Sequence, residues 1–380
     1  MRHICLAAVL LLAAMPARGD IALSANDGHT VLDAGNQVAG KPPLPDTVSV
    51  IDLAGGAPRI VATIEVPGSV VGPPMAVAVA PDESWAIVTA ATKLDPQDAS
   101  GIGPDNRVSV IDLKASPPKL VQSLPSGAGA TVVRISPDGK LALVANRTEG
   151  TVSVFSVQEK RLIPAGKVEF GNPKSGPSGV AFTKDGKAAL VSRDGDHMVS
   201  VLRIDGEKVT VDPRPITTAM RPYTLDVNAA GTLAAVSNMG RGDGDVDSVS
   251  LIDLTATPFR TVETVSVPSS PEGLKFSPDG RFLAVGAQDG TTKKPGTPFY
   301  KEHGTLVLFA VNGPALTRVA QAPLGQWSQG IAFSRDGRTI LVQDMVEKHI
   351  QAFRWDGKAL TEGEPLPING GPAAIRTSWP

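Results

Sequence analysis

The stretch SPDGKLALVANRTEGTVSVFSV, residues 136–157, decides the fold because the chain repeats it with small changes. Its first part is a Pro-Asp-Gly turn and an alternating apolar run. This part returns as TKDGKAALVSR at 183–193 and as SPDGRFLAVGA at 277–287. Its last part returns as TVSVIDL at 47–53 and as SVSLIDL at 248–254. Such repetition is typical of a protein built from copies of one small structural unit.

Each copy consists of a turn and a strand. Proline, aspartate and glycine supply turn dihedral angles that a helix rejects, whereas β-branched residues at every second position indicate a strand. The turn occurs six times, as APDE (80–83), SPDG (136–139), TKDG (183–186), NAAG (228–231), SPDG (277–280) and SRDG (334–337). The strand occurs seven times, at 47–53, 108–113, 151–157, 198–204, 248–254, 305–311 and 349–355.

The difference between six turns and seven strands predicts a closed ring. The C-terminal GPAAIRTSWP (371–380) matches GPSGVAFTKD (176–185), and IALSAND (21–27) matches the run that follows a turn. The last strand would therefore complete the first sheet and leave no open edge. Seven units over residues 20–380 give about 50 residues each, the length of a four-stranded blade. We predict an all-β fold, a single seven-bladed β-propeller domain of four-stranded antiparallel blades over 20–380.

The N-terminal residues 1–19, MRHICLAAVLLLAAMPARG, have the composition of a cleaved signal peptide. A basic start precedes an apolar run over 4–15, and small residues follow at Ala17 and Gly19. We therefore expect a protein exported to the periplasm or secreted. No later run approaches the ~20 apolar residues of a spanning helix, so we expect no membrane span.

Composition excludes several kinds of function. The only cysteine is Cys5, so residues 20–380 contain neither a catalytic thiol nor a cysteine-ligated metal. The net charge is −2, aromatic residues are 4% and no basic block occurs, which argues against nucleic-acid binding. We expect no cofactor and no metal, and a monomer. The remaining histidines show no metal-ligand spacing: His29, His197, His303 and His349.

The pattern SPDGK-x-L-x-VAN-x-x-x-x-TVSV resembles the YVTN-type β-propeller repeat proteins and the related propeller lactonase (6-phosphogluconolactonase-like) superfamily. The resemblance extends over residues 20–380 and implies the seven-bladed fold. That superfamily contains lactonases, a muconate-lactonising enzyme and binding proteins. Its lactonases begin inner strands with Pro-His and Arg-His pairs, but here these positions read Ala130-Thr131 and Pro177-Ser178. Asp194 stands where a lactonase would have Asn-Glu, and the absent histidines favour binding over catalysis.

Four long insertions locate the candidate site. They span 33–46, 93–106, 239–247 and 289–304, and all would connect the second and third strands of a blade, on one face of the ring. Variable loops commonly carry function. We expect the channel mouth on this face to be lined by the first residue of each inner strand and the last residue of each second strand. Candidate ligand-binding residues there are Tyr223, Arg221, Gln329, Asn238, Asp344 and Asn146, and candidate catalytic residues are Glu272, Asp194 and Arg193.

Two functions remain open, besides a purely structural cell-surface module that binds no specific ligand. The first is an exported propeller that binds a protein partner or a small polar or anionic ligand on the insertion-bearing face. The alternative is a lactonase-like hydrolase or isomerase at the channel mouth, with Glu272 or Asp194 assisted by Arg193 or Arg221. Glu272 would act as acid or base only if burial raises its pKa. The recurring asparagines are also explained by turn capping, and Arg134, Asp226, Lys275 and Arg376 by salt bridges along the channel wall.

Overall fold

A computed structural model describes residues 20–378 of the chain. These residues form seven antiparallel sheets of at least four strands, arranged as blades around a central channel, and one short hairpin. The seven-bladed all-β fold is therefore confirmed. Among residues 20–378, no helix is long and apolar enough to cross a membrane. The proposed signal peptide, residues 1–19, lies outside the described residues.

Each blade runs from an innermost strand a to an outermost strand d, and blades are numbered from the N-terminus. Blade 1 consists of Gly371–Thr377, Ile21–Asp27, Thr47–Asp52 and Arg59–Glu65. Blade 2 consists of Val77–Val79, Trp85–Leu94, Ile102–Asp112 and Lys119–Pro125. Blade 3 consists of Ala130–Ile135, Leu141–Asn146, Thr151–Gln158 and Arg161–Glu169.

Two of the remaining blades have an outer strand in two pieces. Blade 4 consists of Pro177–Phe182, Ala188–Arg193, Met198–Asp205, Lys208–Val211 and Ile216–Thr217. Blade 5 consists of Pro222–Val227, Leu233–Asn238, Asp247–Asp253 and Arg260–Val267. Blade 6 consists of Pro271–Phe276, Phe282–Ala287, Gly304–Asn312 and Ala315–Leu324. Blade 7 consists of Ser328–Phe333, Thr339–Asp344, His349–Trp355, Leu360–Glu362 and Leu366–Pro367.

The ring closes as the sequence predicts. Strand Gly371–Thr377 pairs antiparallel with Ile21–Asp27, with Ala22 opposite Thr377 and Ala25 opposite Ala374. The C-terminal strand therefore becomes the innermost strand of the first blade. This pairing joins the two ends of the chain in one blade, which packs against blade 7 and closes the ring.

The core lies between neighbouring blades rather than in one central mass. Inner-strand residues such as Phe182, Leu274 and Phe276 are buried against the adjacent blade. Each fully buried apolar side chain contributes roughly 1.5–3 kcal/mol. Ile135 is only partly buried, because it faces a cavity at the far end of the central channel.

Six of the seven inner strands begin with a β-bulge that the repeat pattern does not predict. Around each bulge, the register against the second strand of the blade shifts. A bulge leaves a residue unpaired and turns its side chain away from the regular pleat. The residues inserted in this way are Thr131, Ser178, Tyr223 with Thr224, Glu272, Gln329 with Gly330, and Ala373.

Candidate functional site

The four insertions contact one another and form a wall on one face of the propeller. The insertion of blade 1 folds into a hairpin, Thr30–Asp33 with Asn36–Ala39, and Ala39 N donates a 2.8 Å hydrogen bond to Ser100 O of the blade 2 insertion. The tip of this hairpin at Gly35 approaches the blade 6 insertion so closely that an added Cβ would lie 3.0 Å from Lys294 N. The wall therefore covers the face over blades 1, 2 and 6.

The wall continues to blade 5 and stops there. Lys293 Nζ of the blade 6 insertion donates a hydrogen bond to Gly242 O of the blade 5 insertion. By contrast, residues 147–150 and 194–197, which make the same connection in blades 3 and 4, are short turns. Access to the channel mouth is therefore from the side of blades 3 and 4.

One half of the channel mouth is closed by apolar packing. Val70, in the segment that links blades 1 and 2, packs with Trp327, Met345 and Ala373 in one buried cluster. The same segment reaches Thr131, since a Cβ on Gly72 would lie 2.5 Å from its Cγ2. On this side, apolar packing therefore closes the channel mouth over Ala373, one of the predicted lining residues.

The other half of the mouth carries buried polar groups. Tyr223, Glu272 and Gln329 begin the inner strands of blades 5, 6 and 7, and all three are buried, with Glu272 only 4% exposed. Glu272 Oε2 and both amide atoms of Gln329 have no hydrogen-bond partner among residues 20–378. Because buried polar atoms are nearly always hydrogen-bonded in folded proteins, this group is suited to a water molecule or a polar ligand.

Burial and the neighbouring charges set the protonation states of Glu272 and Tyr223. Burial raises the pKa of Glu272 to about 8, and the positive charges of Arg147 and Arg221 act in the opposite direction. Burial also raises the pKa of Tyr223, an effect that the negative charge of Glu272 reinforces. Tyr223 is therefore a neutral phenol, and Glu272 exchanges its proton near neutral pH, as a general acid or base requires.

Arg147 belongs to this site although the sequence analysis did not select it. Its Nη2 lies 2.5 Å from Asp194 Oδ2, and its guanidinium carbon lies 5.8 Å from the centre of the Tyr223 ring. It also lines a shallow pocket on the open side of the mouth, with Lys174, Asp194, Gly195, His197 and Arg221 among its neighbours. Arg147 therefore connects this accessible pocket with the buried Tyr223.

Arg221 is the second cation of the pocket. It adopts a left-handed backbone conformation, with φ at 56°, immediately before the inner strand of blade 5. Its Nη1 donates a 3.3 Å hydrogen bond to Gly240 O, and its backbone N–H donates a 3.3 Å bond to His197 Nδ1. These contacts hold Arg221 in the lining of the pocket, which it shares with Arg147.

Two residues predicted for the site are engaged elsewhere. Arg193 pairs with Asp196 at 2.9 Å and lies 4.8 Å from the ring centre of Phe170, beside the outer strand of blade 3. Asp344 is fully buried inside blade 7, where its Oδ2 lies 3.1 Å from His349 Nε2. Burial raises the pKa of Asp344 to about 6. Neither side chain joins the group around Glu272.

Sequence comparison adds an independent finding. Residues 107–215 match the family model described as "Lactonase, 7-bladed beta-propeller", and residues 263–293 match "WD domain, G-beta repeat". The chain is a seven-bladed β-propeller, and part of it matches a lactonase family model. Comparison with curated proteins found no sequence match.

Solved structures resemble this propeller along most of its length. A putative 6-phosphogluconolactonase from Bacteroides uniformis is 16% identical with a TM-score of 0.73, over 95% of this chain and 99% of that one. The periplasmic gluconolactonase of Pseudomonas aeruginosa is 20% identical with a TM-score of 0.71, over 94% and 98%. Hydrazine synthase from Kuenenia stuttgartiensis is 19% identical with a TM-score of 0.63, over 81% and 90%. At these identities the likeness concerns the fold.

The recurring asparagines of the propeller act inside the blades. Asn146 Nδ2 donates to Thr151 Oγ1 and Ser153 Oγ of strand c at 3.0 and 2.9 Å, and its Oδ1 accepts from the Gly127 backbone. Asn26 and Asn238 bond to the corresponding hydroxyls of their own blades. Because these side chains are buried and bonded within the blade, we interpret them as structural links between strand b and its neighbours.

We expect Asn146→Ala to lower the free energy of unfolding by about 1–3 kcal/mol, since it leaves the buried Ser153 hydroxyl and the Gly127 backbone amide without a partner. Urea unfolding of the variant and the wild type measures the difference. The variant should keep the wild-type ligand binding or turnover. A selective loss of ligand binding at unchanged stability would show instead that Asn146 contacts the ligand.

A second polar cluster lies at the base of the blade 1 insertion. Asp27, His29 and Asp46 place their side chains together, with His29 Nδ1 2.7 Å from Asp46 Oδ1. Backbone amides already bond to both carboxylates: Asp27 accepts from Thr30 and Val70, and Asp46 accepts from Gly28 and Gly68. The sequence analysis did not bring these residues together. Their bonds to the backbone assign them to anchoring the insertion.

The pKa of Glu272 makes stability depend on pH in a defined direction. A folded-state pKa of about 8, above the ordinary 4.5, means that the folded protein holds this proton more tightly than the unfolded chain. The stabilisation that this tighter proton binding gives the folded protein is fully present below about pH 4.5 and is lost as pH rises through about 8. We expect Glu272→Gln to remove this loss and to gain about 2–4 kcal/mol relative to the wild type between pH 4 and pH 9.

Urea unfolding of both proteins at pH 4, 6, 8 and 9 measures this difference, and all other titrating groups cancel in the comparison. A stability difference that does not change with pH would mean that Glu272 titrates normally.

Proposed function

We propose that this protein is a lactonase-like hydrolase that opens a small lactone at the channel mouth, with Glu272 as the proton-transferring residue. One observation carries the proposal: a buried carboxyl with a pKa of about 8 and an oxygen without a hydrogen-bond partner, next to two arginines and a neutral tyrosine. Enzymes tune carboxyl groups in this way when they must exchange protons near neutral pH.

The arrangement supports a simple hydrolytic sequence. In its carboxylate form Glu272 takes a proton from a water molecule, whose oxygen forms a bond to the lactone carbonyl carbon. Arg147 and the Tyr223 hydroxyl are suited to stabilise the negative charge that develops on the carbonyl oxygen. The bond between the carbonyl carbon and the ring oxygen then breaks, and the ring oxygen takes the proton from Glu272. The product is a hydroxy acid, which releases one proton to solvent at neutral pH.

The comparisons support this alternative better than the binding function that the sequence analysis put first. Part of the chain matches a lactonase family model, and two of the similar structures are described as a putative 6-phosphogluconolactonase and a gluconolactonase. Here the chemistry would not use the histidine pairs of the family, because Thr131 and Ser178 occupy those positions. Glu272, Arg147 and Tyr223 supply another set of groups for the same reaction.

The pocket also indicates the kind of lactone. Arg147, Arg221 and Lys174 line it with one carboxylate, Asp194, so its rim is positively charged. Positive groups favour a substrate that carries a phosphate or carboxylate. We therefore expect 6-phosphogluconolactone to have a lower KM than gluconolactone or an uncharged aliphatic lactone.

Proton release from these three lactones, with spontaneous hydrolysis subtracted, tests the function. Turnover of at least one of them is the expected result. No turnover of any lactone above the spontaneous rate would overturn the hydrolase proposal, and binding of a polar ligand or a protein partner on the insertions would then be the remaining proposal.

We also propose that the protein is exported, because residues 1–19 have the features of a signal peptide. When it is expressed from its full sequence, the protein should appear in the periplasmic or extracellular fraction with residues 1–19 removed. Full-length protein retained in the cytoplasm with an intact N-terminus would contradict export.

A further inference from the structure

The central channel contains a cavity at the end opposite the candidate active site. Its volume is about 290 Å³, and it lies where the inner strands reach the Pro-Asp-Gly turns. Six of the seven blades contribute to its lining, through Ala78, Arg134, Phe182, Asp226, Arg335 and Arg376. The cavity is therefore on the axis of the propeller, at the small end of the size range of ligand pockets.

Among residues 20–378, cations outnumber anions in this part of the channel. Asp226 Oδ2 lies 2.9 Å from Lys275 Nζ, and Asp226 Oδ1 lies 3.2 Å from Arg376 Nη1. These distances confirm the predicted salt bridges for these three residues. Arg134 was expected to join them, but it pairs with no carboxylate among the described residues. One buried carboxylate thus faces three basic side chains, and burial lowers the pKa of Lys275 to about 7 and that of Arg134 well below its ordinary value. A buried excess of positive charge is costly unless an anion compensates it.

Hydrogen bonds hold Arg134 in place, but they involve only one of its three guanidinium nitrogens. It is 7% exposed, and its Nη1 donates hydrogen bonds to the backbone carbonyls of Met75, Val77 and Val133 at 3.4, 3.3 and 2.8 Å. Its Nε has no partner, and no hydrogen bond of residues 20–378 uses Nη2. Because the protein encloses Nε, Nη2 is the guanidinium nitrogen that remains to donate a hydrogen bond to a carboxylate in the cavity.

The other charged side chains that the structure describes around the cavity do not neutralise this excess. Arg335 lines the cavity and pairs with Glu83 at 3.3 Å, so this acid is already engaged. Lys184 at the rim adds a further positive charge. The rest of the lining near Arg134 is largely apolar and includes Val79, Phe182 and Val227.

We propose that this cavity is a second ligand site, which binds a small organic carboxylate with its charge on Arg134 and its apolar part against the inner strands. The carboxylate compensates the buried positive charge, and the apolar body replaces water along Val79, Phe182 and Val227. Entry is from the face of the Pro-Asp-Gly turns. The site lies at the far end of the channel from Glu272, and its existence does not depend on lactone hydrolysis.

Isothermal titration with benzoate tests the proposal, because benzoate combines one carboxylate with a compact apolar ring. The wild type should bind benzoate saturably and more tightly than chloride or inorganic phosphate. Arg134→Gln should bind it at least tenfold more weakly. Arg147→Gln, altered at the opposite end of the channel, should bind it as the wild type does.

If Arg134→Gln does not fold, Arg376→Gln, at a more exposed cation of the same cavity, takes its place with the same expected loss. Three results would overturn the proposal: no saturable binding by the wild type, wild-type binding by Arg134→Gln or its substitute Arg376→Gln, or loss of binding in Arg147→Gln alone. Binding of chloride as tight as that of benzoate would also overturn it, since it would indicate a site for inorganic ions.

Discussion

Glu272→Gln is expected to lower kcat for lactone hydrolysis by at least 100-fold. The amide has the size and shape of the carboxyl, but it cannot take a proton from water, and such proton transfer contributes about 10²–10⁴-fold to catalysis. KM should change little, because the arginines of the pocket, rather than Glu272, would hold the substrate. Initial rates of proton release at pH 7.5, over a range of lactone concentrations, separate the two constants.

Glu207→Gln is the matched control, since Glu207 is an exposed residue in the outer turn of blade 4. It should keep the wild-type kcat. If Glu272→Gln retains more than a tenth of the wild-type kcat, Glu272 is not the residue that transfers the proton.

Asp226→Ala is expected to lower the free energy of unfolding by about 3–5 kcal/mol, the range measured when one partner of a buried ion pair is removed. Asp226 is the only carboxylate that contacts Lys275 and Arg376 among the described residues, and it also accepts a 3.1 Å hydrogen bond from Phe276 N. Its removal leaves Lys275, which is 2% exposed in its side chain, without a counter-ion in the channel. Urea unfolding measures the loss.

Asp52→Ala provides the comparison for this measurement. Asp52 pairs with Arg59 at 2.7 Å, but the arginine is 72% exposed, so water solvates both partners once the pair is broken. We expect a loss of less than about 1 kcal/mol. Equal losses for the two variants would mean that the channel ion pairs are solvated and do not carry a buried charge.

The fold could be predicted from the sequence because each blade repeats the same local signals. The turn at 136–139 and the strand at 151–157 recur often enough to count blades, and the match between 371–380 and 176–185 predicts how the ring closes. In the structure, strand Gly371–Thr377 pairs with Ile21–Asp27 as that match requires. Repetition averages out the ambiguity that a single strand pattern would leave.

The candidate site could be predicted only in part. Tyr223, Glu272 and Gln329 were selected from their place at the start of inner strands, and the structure brings them to one half of the mouth. Arg147 was not selected, because its position after strand b looks like an ordinary turn residue. Its role depends on Asp194 and Tyr223, which lie on other blades.

The closed half of the mouth was also unpredictable from local patterns. It depends on the path of residues 66–75, which bring Val70 against Trp327 and Gly72 against Thr131. The surroundings of Asp344 could not be predicted from local patterns either. It occupies the strand position of the capping asparagines, but its partner there is His349 where Asn146 has Thr151. Such pairings are set by contacts between distant residues, which the repeat alone does not encode.

The dependence of kcat/KM on pH, measured between pH 6 and pH 9 on the best lactone substrate, tests whether Glu272 is the base in lactone hydrolysis. If the Glu272 carboxylate is the base, kcat/KM rises with pH and levels off above an inflection near pH 8, and this inflection is absent from the residual rate of Glu272→Gln. A rate that increases in proportion to hydroxide across the whole range, identical in the two proteins, would contradict the account.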